Sequence, residues 1–137
     1  MYLGIDYGKK RIGVAMGEAI PKPLVVVDGA KPKEEILADF KEIADREQIK
    51  GLVVGLPERD DKEETGLNLE IKKFAEGLRD HLNVPIFYEP EQYTSAEAER
   101  ILKKYNVKVM GNKEKVDMLA AVLILEQFIE RRKSEGQ

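Results

Sequence analysis

The sequence has no cysteine, and only one of its 137 residues is a histidine, His81. Without cysteine the chain can form no disulfide framework, thiolate nucleophile or thiolate metal site. A single histidine is also too few for the usual zinc sites. Any chemistry therefore has to rest on carboxylates, amides, hydroxyls and basic side chains.

Long hydrophobic runs are missing too, and the first residues, MYLGIDYG, do not form a basic segment followed by an apolar one. We therefore expect no signal peptide, no membrane-spanning helix and a cytoplasmic location. A chain of this length is expected to fold as one domain, residues 1–137, with its own hydrophobic core.

The chain also lacks an excess of positive charge. Charged residues make up 36% of it, yet the formal net charge is -3 and the isoelectric point is about 5.4. Proteins that bind nucleic acid over a broad surface are usually basic. If this protein binds nucleic acid, the contact is expected to be confined to a local basic patch.

Hydrophobic periodicity predicts elements in the order β-β-β-α-β-α-β-α-α. An antiparallel meander followed by βαβ units indicates an α/β fold with one mixed sheet and helices on both faces. The predicted strands are Tyr2–Asp6, Arg11–Gly17, Leu24–Asp28, Gly51–Leu56 and Pro85–Tyr88, and the predicted helices are Lys33–Gln48, Leu67–Leu82, Thr94–Tyr105 and Asn112–Arg132.

One face of the predicted N-terminal hairpin is unusually small, because Gly13, Ala15 and Gly17 alternate along its second strand. Small residues allow a helix or a ligand to approach the backbone closely. Strand alternation places Gly4 and Asp6 together on one face of the first strand.

The last predicted helix offers a surface that matches this face. Asp117 shares a stripe with apolar residues at helical spacing, and a carboxylate there is costly unless it is paired or bound to a metal. If the stripe packs on the small face, Asp117 comes close to Asp6. The alternative is a first-turn aspartate that interacts with the helix dipole. The stripe consists of Asp117, Ala120, Ala121, Ile124 and Phe128.

Two further acids, Glu89 and Glu91, come just after the last predicted strand. Sites in open α/β sheets gather beyond the carboxyl ends of strands, so both are candidates. Acidic residues before a helix are equally often turn and dipole residues. The residues alone leave this choice open.

Basic residues flank the acidic candidates in the sequence. Lys9, Lys10 and Arg11 follow Asp6 closely, while Lys113 and Lys115 precede Asp117. These side chains could hold the phosphates of a nucleic acid. For any single lysine, a solvated surface position is the simpler interpretation.

Four segments together resemble the YqgF/RuvX family, whose members are described as Holliday junction resolvases or pre-16S rRNA nucleases. They match in order and spacing over nearly the whole chain. The resemblance implies an RNase H-like fold and a catalytic, metal-binding set formed by Asp6, Glu91 and Asp117. The segments are GIDYGKKRIGVA from Gly4, VGLP from Val54, PEQYTS from Pro90 and DMLAAVLIL from Asp117.

The third segment departs from the family pattern, which usually has an Asp-Glu-Arg run. Here the run is Pro90-Glu91-Gln92, so the flanking acid and the arginine are missing. Glu91 and the hydroxyls of Thr94 and Ser95 are retained, and the hydroxyls are expected to contact nucleic acid. Glu89 is a candidate substitute for the missing metal ligand.

The activity implied by the resemblance is metal-dependent hydrolysis of structured nucleic acid. Mg²⁺ and Mn²⁺ prefer oxygen ligands, and a pair of such ions can activate water and stabilise a leaving oxygen. The substrate would be the 5′ end of pre-16S rRNA, with ribosomal precursor particles as partners, or a four-way DNA junction. Symmetric junction cleavage needs two sites and hence a homodimer, whereas rRNA trimming requires only a monomer.

Two other functions compete with the nuclease. Asp6, Gly8 and Gly13 also resemble the first phosphate loop of actin- and hexokinase-type ATPases. Those enzymes close a second domain over the nucleotide, and 137 residues are too few to supply it. The other alternative is a non-catalytic module that binds nucleic acid or the ribosome.

Overall fold

A computed structural model describes residues 1–57, 66–91, 95–106 and 113–136. Its elements follow the predicted order, which is confirmed. They are β1 (Tyr2–Asp6), β2 (Arg11–Gly17), β3 (Lys22–Asp28), α1 (Lys33–Glu47), β4 (Gly51–Pro57), α2 (Gly66–Leu82), β5 (Ile86–Glu91), α3 (Ser95–Lys104) and α4 (Lys113–Ser134).

The five strands form one mixed sheet in the order β3-β2-β1-β4-β5. Strand β1 pairs antiparallel with β2 and parallel with β4. The outer pairs are β2 with β3, antiparallel, and β4 with β5, parallel. Because β1 is central, Asp6 at its end lies in the middle of one edge of the sheet.

Strand β5 is longer than predicted, and the expectation that Glu89 and Glu91 follow the end of the strand was wrong. Its parallel pairing with β4 continues through Glu89, Pro90 and Glu91, which lie opposite Gly55, Leu56 and Pro57. A proline normally interrupts a strand because it has no N–H to donate. Here β5 is the edge strand, where one side of the backbone needs no partner.

Helices cover both faces of the sheet, as predicted. Large apolar residues of β1, including Leu3 and Ile5, face α1 and α2, and Phe40 and Leu78 are fully buried in that layer. The opposite face is covered by α4. Helix α3 packs on α4 through the buried Ile101.

Helix α4 lies directly on the small face of the hairpin, which confirms the predicted packing. A Cβ atom at Gly4 would be 2.8 Å from the backbone oxygen of Ala121, so a larger residue would force the helix away from the strand. The middle of α4 is apolar on all sides because the sheet lies below it and α3 beside it. Among the described helices, none is long and apolar enough to cross a lipid bilayer.

Candidate active site

The site is built around Asp6, at the carboxyl end of β1. Its partner on β2 is Gly13. On the other side, Ile5 pairs with Val54 of β4, so Gly55 is the next residue along beside Asp6. A glycine therefore flanks the aspartate on each neighbouring strand, and each glycine leaves space on the α4 face of the sheet.

Gly13 brings Asp117 to the site. A Cβ atom at Gly13 would lie 2.1 Å from the backbone oxygen of Asp117 and 2.5 Å from its carbonyl carbon. Only a residue without a side chain lets the second turn of α4 rest there. Since Gly13 pairs with Asp6, this contact places Asp117 next to Asp6.

Gly55 does the same for Glu91. A Cβ atom at Gly55 would lie 3.0 Å from Glu91 Oε1 and 2.4 Å from the Cδ1 atom of Ile124. The carboxylate of Glu91 thus reaches back from β5 over the bare backbone of β4. Gly55 belongs to the VGLP segment, and its role in making room for Glu91 was not predicted from the sequence. A glycine inside an apolar strand is nevertheless a signal that another group approaches the backbone closely.

The three carboxylates interact electrostatically. Burial raises the pKa of Asp6 from 3.8 to about 7, and the negative charges of Glu91 and then Asp117 add to the effect. Burial also raises the pKa of Glu91. Carboxylates this close and this poorly solvated oppose one another's ionisation unless a cation joins them.

One positively charged side chain, that of Arg11, contacts this cluster of three carboxylates. The Arg11 Nε atom donates a 2.7 Å hydrogen bond to Asp117 Oδ2, and both side chains are partly exposed. The sequence suggested Arg11 only as a phosphate contact. The structure shows it bound to a carboxylate of the site.

The donor set suits a hard divalent cation, because its ligands are carboxylate oxygens only. Asp6 and Glu91 are buried enough to shift their pKa values, and neither has an ion-pair partner in the described part of the chain. Among the described residues, however, no three acidic side chains are arranged so that they could hold a metal ion as they stand. Asp117 is bound by Arg11, so this carboxylate would have to exchange its partner to bind one.

Glu89 is not part of this cluster. It is only 4% exposed, and its Oε1 lies 2.9 Å from Arg131 Nη2. Burial raises the pKa of Glu89, and the charge of Arg131 opposes that rise. The side chain lines a cavity of about 720 Å³ between α3 and the second half of α4, which also includes Arg100 and Glu126.

Other residues predicted to contact nucleic acid are near Asp6 or Asp117 in the sequence. Lys9 lies 3.7 Å from Glu70 Oε1, and Lys10 is exposed. Lys113 and Lys115 are exposed in the first turn of α4. Two further predicted contacts, Thr94 and the side chain of Ser95, lie outside the described residues.

Comparison with known proteins gives a consistent result. The model of a family described as "RuvX: Holliday junction resolvase" matches residues 1–131. A protein of Chromobacterium violaceum named "Putative pre-16S rRNA nuclease" is 37% identical over 94% of this chain and 96% of its own length. A protein of Koribacter versatilis with the same name is 32% identical over 95% of this chain and 86% of its own.

Two solved structures are similar in fold. Thermus thermophilus RuvC in complex with a Holliday junction substrate has a TM-score of 0.57, with 17% identity over 90% of each chain. The fowlpox virus resolvase in complex with substrate Holliday junction DNA has a TM-score of 0.60, with 12% identity over 95% of this chain and 97% of that one. These likenesses confirm the predicted RNase H-like fold.

Proposed function

Because the chain belongs to the RuvX family, we propose that it is a nuclease that uses divalent metal to hydrolyse phosphodiester bonds in structured nucleic acid. The observation that carries this proposal is that close contacts at Gly13 and Gly55 bring Asp117 and Glu91 to the end of the central strand, beside Asp6. The shift in the pKa of Asp6 is typical of groups that act in catalysis or hold a metal.

In this proposal, Asp6, Glu91 and Asp117 are the residues that would hold Mg²⁺ or Mn²⁺. Such ions supply an activated water and stabilise the leaving oxygen. Asp6 lies at the end of the central strand, while Glu91 approaches from β5 and Asp117 from α4. Burial strengthens the attraction of these oxygens for a cation, because few water molecules compete for the same charge.

For the substrate, we propose the 5′ end of pre-16S rRNA, in agreement with the names of the relatives in Chromobacterium and Koribacter. The protein would then work as a cytoplasmic, single-domain enzyme on ribosomal precursor particles, as a monomer. A four-way DNA junction is the second candidate, supported by the description of the family model. That substrate would require a homodimer.

The alternatives differ in what supports them. A non-catalytic binding module would keep the fold and the basic residues without needing three close carboxylates. The comparisons favour the nuclease over an ATPase of the actin type, since the RuvX family model matches residues 1–131 and the two similar structures described above are resolvases.

The test is a cleavage assay on the purified chain with Mg²⁺, Mn²⁺ or a chelator. The substrates are a pre-16S rRNA fragment with its 5′ extension, the same RNA without the extension, and a four-way DNA junction. We expect metal-dependent cleavage of the extended RNA near the mature end. Cleavage of the junction alone would favour the second substrate, and binding without cleavage of any substrate would favour the binding module.

We also predict that contact with nucleic acid is limited to a patch beside Asp6. Replacing Lys9 and Lys10 by glutamine should weaken binding and flatten the dependence of log affinity on log salt by about 0.9 per lost duplex phosphate contact. The ion pair between Lys9 and Glu70 is exposed and is expected to cost little to break. Binding is measured in chelator at several salt concentrations.

The matched control removes the same charge elsewhere. Lys22 at the start of β3 and Lys133 near the end of α4 are both exposed and lie away from the carboxyl end of β1. The variant Lys22→Gln/Lys133→Gln should keep the wild-type salt dependence. If log affinity depended equally on log salt in wild type and in both double variants, Lys9 and Lys10 would be solvated surface residues that make no phosphate contact.

A further inference from the structure

Arg11 contacts a carboxylate of the site through one nitrogen of its guanidinium. Its guanidinium binds Asp117 Oδ2 through Nε, and it makes no other hydrogen bond among the described residues. The side chain is 37% exposed. The two Nη groups, which form the fork that recognises paired oxygens, therefore remain available.

The partner of Arg11 is also one of the proposed metal ligands. A guanidinium and a divalent cation cannot share one carboxylate without repelling each other, because both are positive and would lie within a few ångströms. Any cation that takes Asp117 must therefore displace Arg11 or bind more weakly in its presence. The carboxylate has two competing positive partners.

We propose that Arg11 is a positioning residue that alternates between Asp117 and a backbone phosphate of the nucleic acid, leaving Asp117 when the site takes up its cation. This proposal rests on the proposed nuclease function and adds to it the order in which Asp117 exchanges Arg11 for the metal ion. Arg11 neutralises the acidic group while metal is absent, and it becomes a substrate contact when metal is present.

A backbone phosphate is a suitable second partner for Arg11 for a chemical and a geometric reason. Phosphate and carboxylate both present paired oxygens that a guanidinium binds with two parallel hydrogen bonds. Arg11 follows directly after the exposed Lys10 and lies just beyond the carboxyl end of β1, so its side chain is beside the proposed site and next to a predicted phosphate contact. The partial exposure of Arg11 leaves it a path towards solvent.

Alternation has a thermodynamic consequence that can be measured without catalysis. If nucleic acid draws Arg11 away from Asp117, its binding must tighten metal binding, and metal must tighten the binding of nucleic acid by the same factor. Without nucleic acid, Arg11 and the metal oppose each other. Removing Arg11 should therefore change both the metal affinity and its response to nucleic acid.

The experiment measures Mn²⁺ affinity from the electron paramagnetic resonance signal of free Mn²⁺. It compares wild type, Arg11→Met, Arg11→Lys and the control Lys22→Met, which removes an exposed charge away from the site, each with and without a short duplex DNA. Without DNA, we expect Arg11→Met to bind Mn²⁺ about tenfold more tightly than wild type. Arg11→Lys should fall between them, and Lys22→Met should match wild type. The DNA should tighten Mn²⁺ binding to wild type more than it tightens binding to Arg11→Met.

Thermal melts in chelator establish that each variant is folded before its metal affinity is compared. Equal or weaker Mn²⁺ binding by a folded Arg11→Met, or the same response to DNA as wild type, would overturn the proposal and leave the nuclease function standing. An unfolded Arg11→Met leaves the decision to Arg11→Lys, whose affinity must then exceed that of wild type. If wild type itself binds no Mn²⁺, both this proposal and the metal-dependent function fail.

Discussion

Replacing Asp6 by asparagine is expected to abolish hydrolysis while making the metal-free fold more stable than wild type at neutral pH and above, with the gain developing from about pH 4 upwards. The two effects have one cause, because the carboxylate that would hold metal is also the one that burial and its neighbours destabilise most. An aspartate that merely capped the turn at Tyr7 and Gly8 predicts the opposite. Its loss would cost about 1 kcal/mol of stability and leave activity largely intact.

The pH dependence follows from the raised pKa. In the unfolded chain the pKa of Asp6 is near 3.8, and in the folded protein it is about 7. Between these values the folded state holds a proton that the unfolded state has released, so the free energy of unfolding of wild type falls as pH rises through this window. The total loss for a shift of this size is up to about 4 kcal/mol.

Asparagine carries no charge, so Asp6→Asn lacks this loss. Its stability relative to wild type should be near zero around pH 4 and should rise to a few kcal/mol around pH 8. Denaturant unfolding in chelator at several pH values measures the difference. Asp80→Asn is the control, because Asp80 is exposed on α2 and should show no such trend. If the stability of both variants relative to wild type varied with pH in the same way, the burial assigned to Asp6 would be contradicted.

The second large effect is expected from Gly13→Ala. The added methyl group would lie 2.1 Å from the backbone oxygen of Asp117 and 3.1 Å from the backbone nitrogen of Met118. Backbone atoms cannot rotate away as a side chain would, so α4 has to move off β2. We expect a loss of about 3 kcal/mol or more, at the upper end of overpacking effects.

Gly66→Ala is the matched control for this prediction. Gly66 is the first residue of α2, and an added Cβ there meets no heavy atom of the described residues within 4 Å. Alanine favours the helix, so this variant should be as stable as wild type or more stable by up to about 1 kcal/mol. Urea unfolding of both variants checks the result. Similar stabilities for Gly13→Ala and Gly66→Ala would show that α4 does not rest on the hairpin as described.

Much of the fold could be predicted because the sequence changes period where the elements change. The small residues opposite the Asp117 stripe also predicted where α4 packs. The extension of β5 was missed because Pro90 suggests the end of a strand, and only the position of β5 at the edge of the sheet removes that objection. Strand order is a long-range property that local residue patterns do not contain.

The site could be predicted in part. Asp6 and Asp117 followed from the small face and its facing helix, whereas Glu89 and Glu91 could not be separated. They share one face of β5, and their different surroundings come from distant residues: Gly55 makes room for Glu91, and Arg131 pairs with Glu89. The basic patch was likewise treated as one unit, but the structure directs Arg11 to Asp117 and Lys9 to Glu70.

The measurement that tests the central claim most directly is the single-turnover rate of phosphodiester cleavage by wild type, Asp6→Asn and Asp80→Asn in Mg²⁺ or Mn²⁺. The substrate is whichever nucleic acid the wild type cleaves. Removing a direct ligand should cost more than the 10- to 100-fold that is typical of residues behind a ligand, so we expect Asp6→Asn to lose roughly 100-fold or more. Asp80→Asn should retain the wild-type rate. An Asp6→Asn protein that cleaves at the wild-type rate would contradict the assignment of this site.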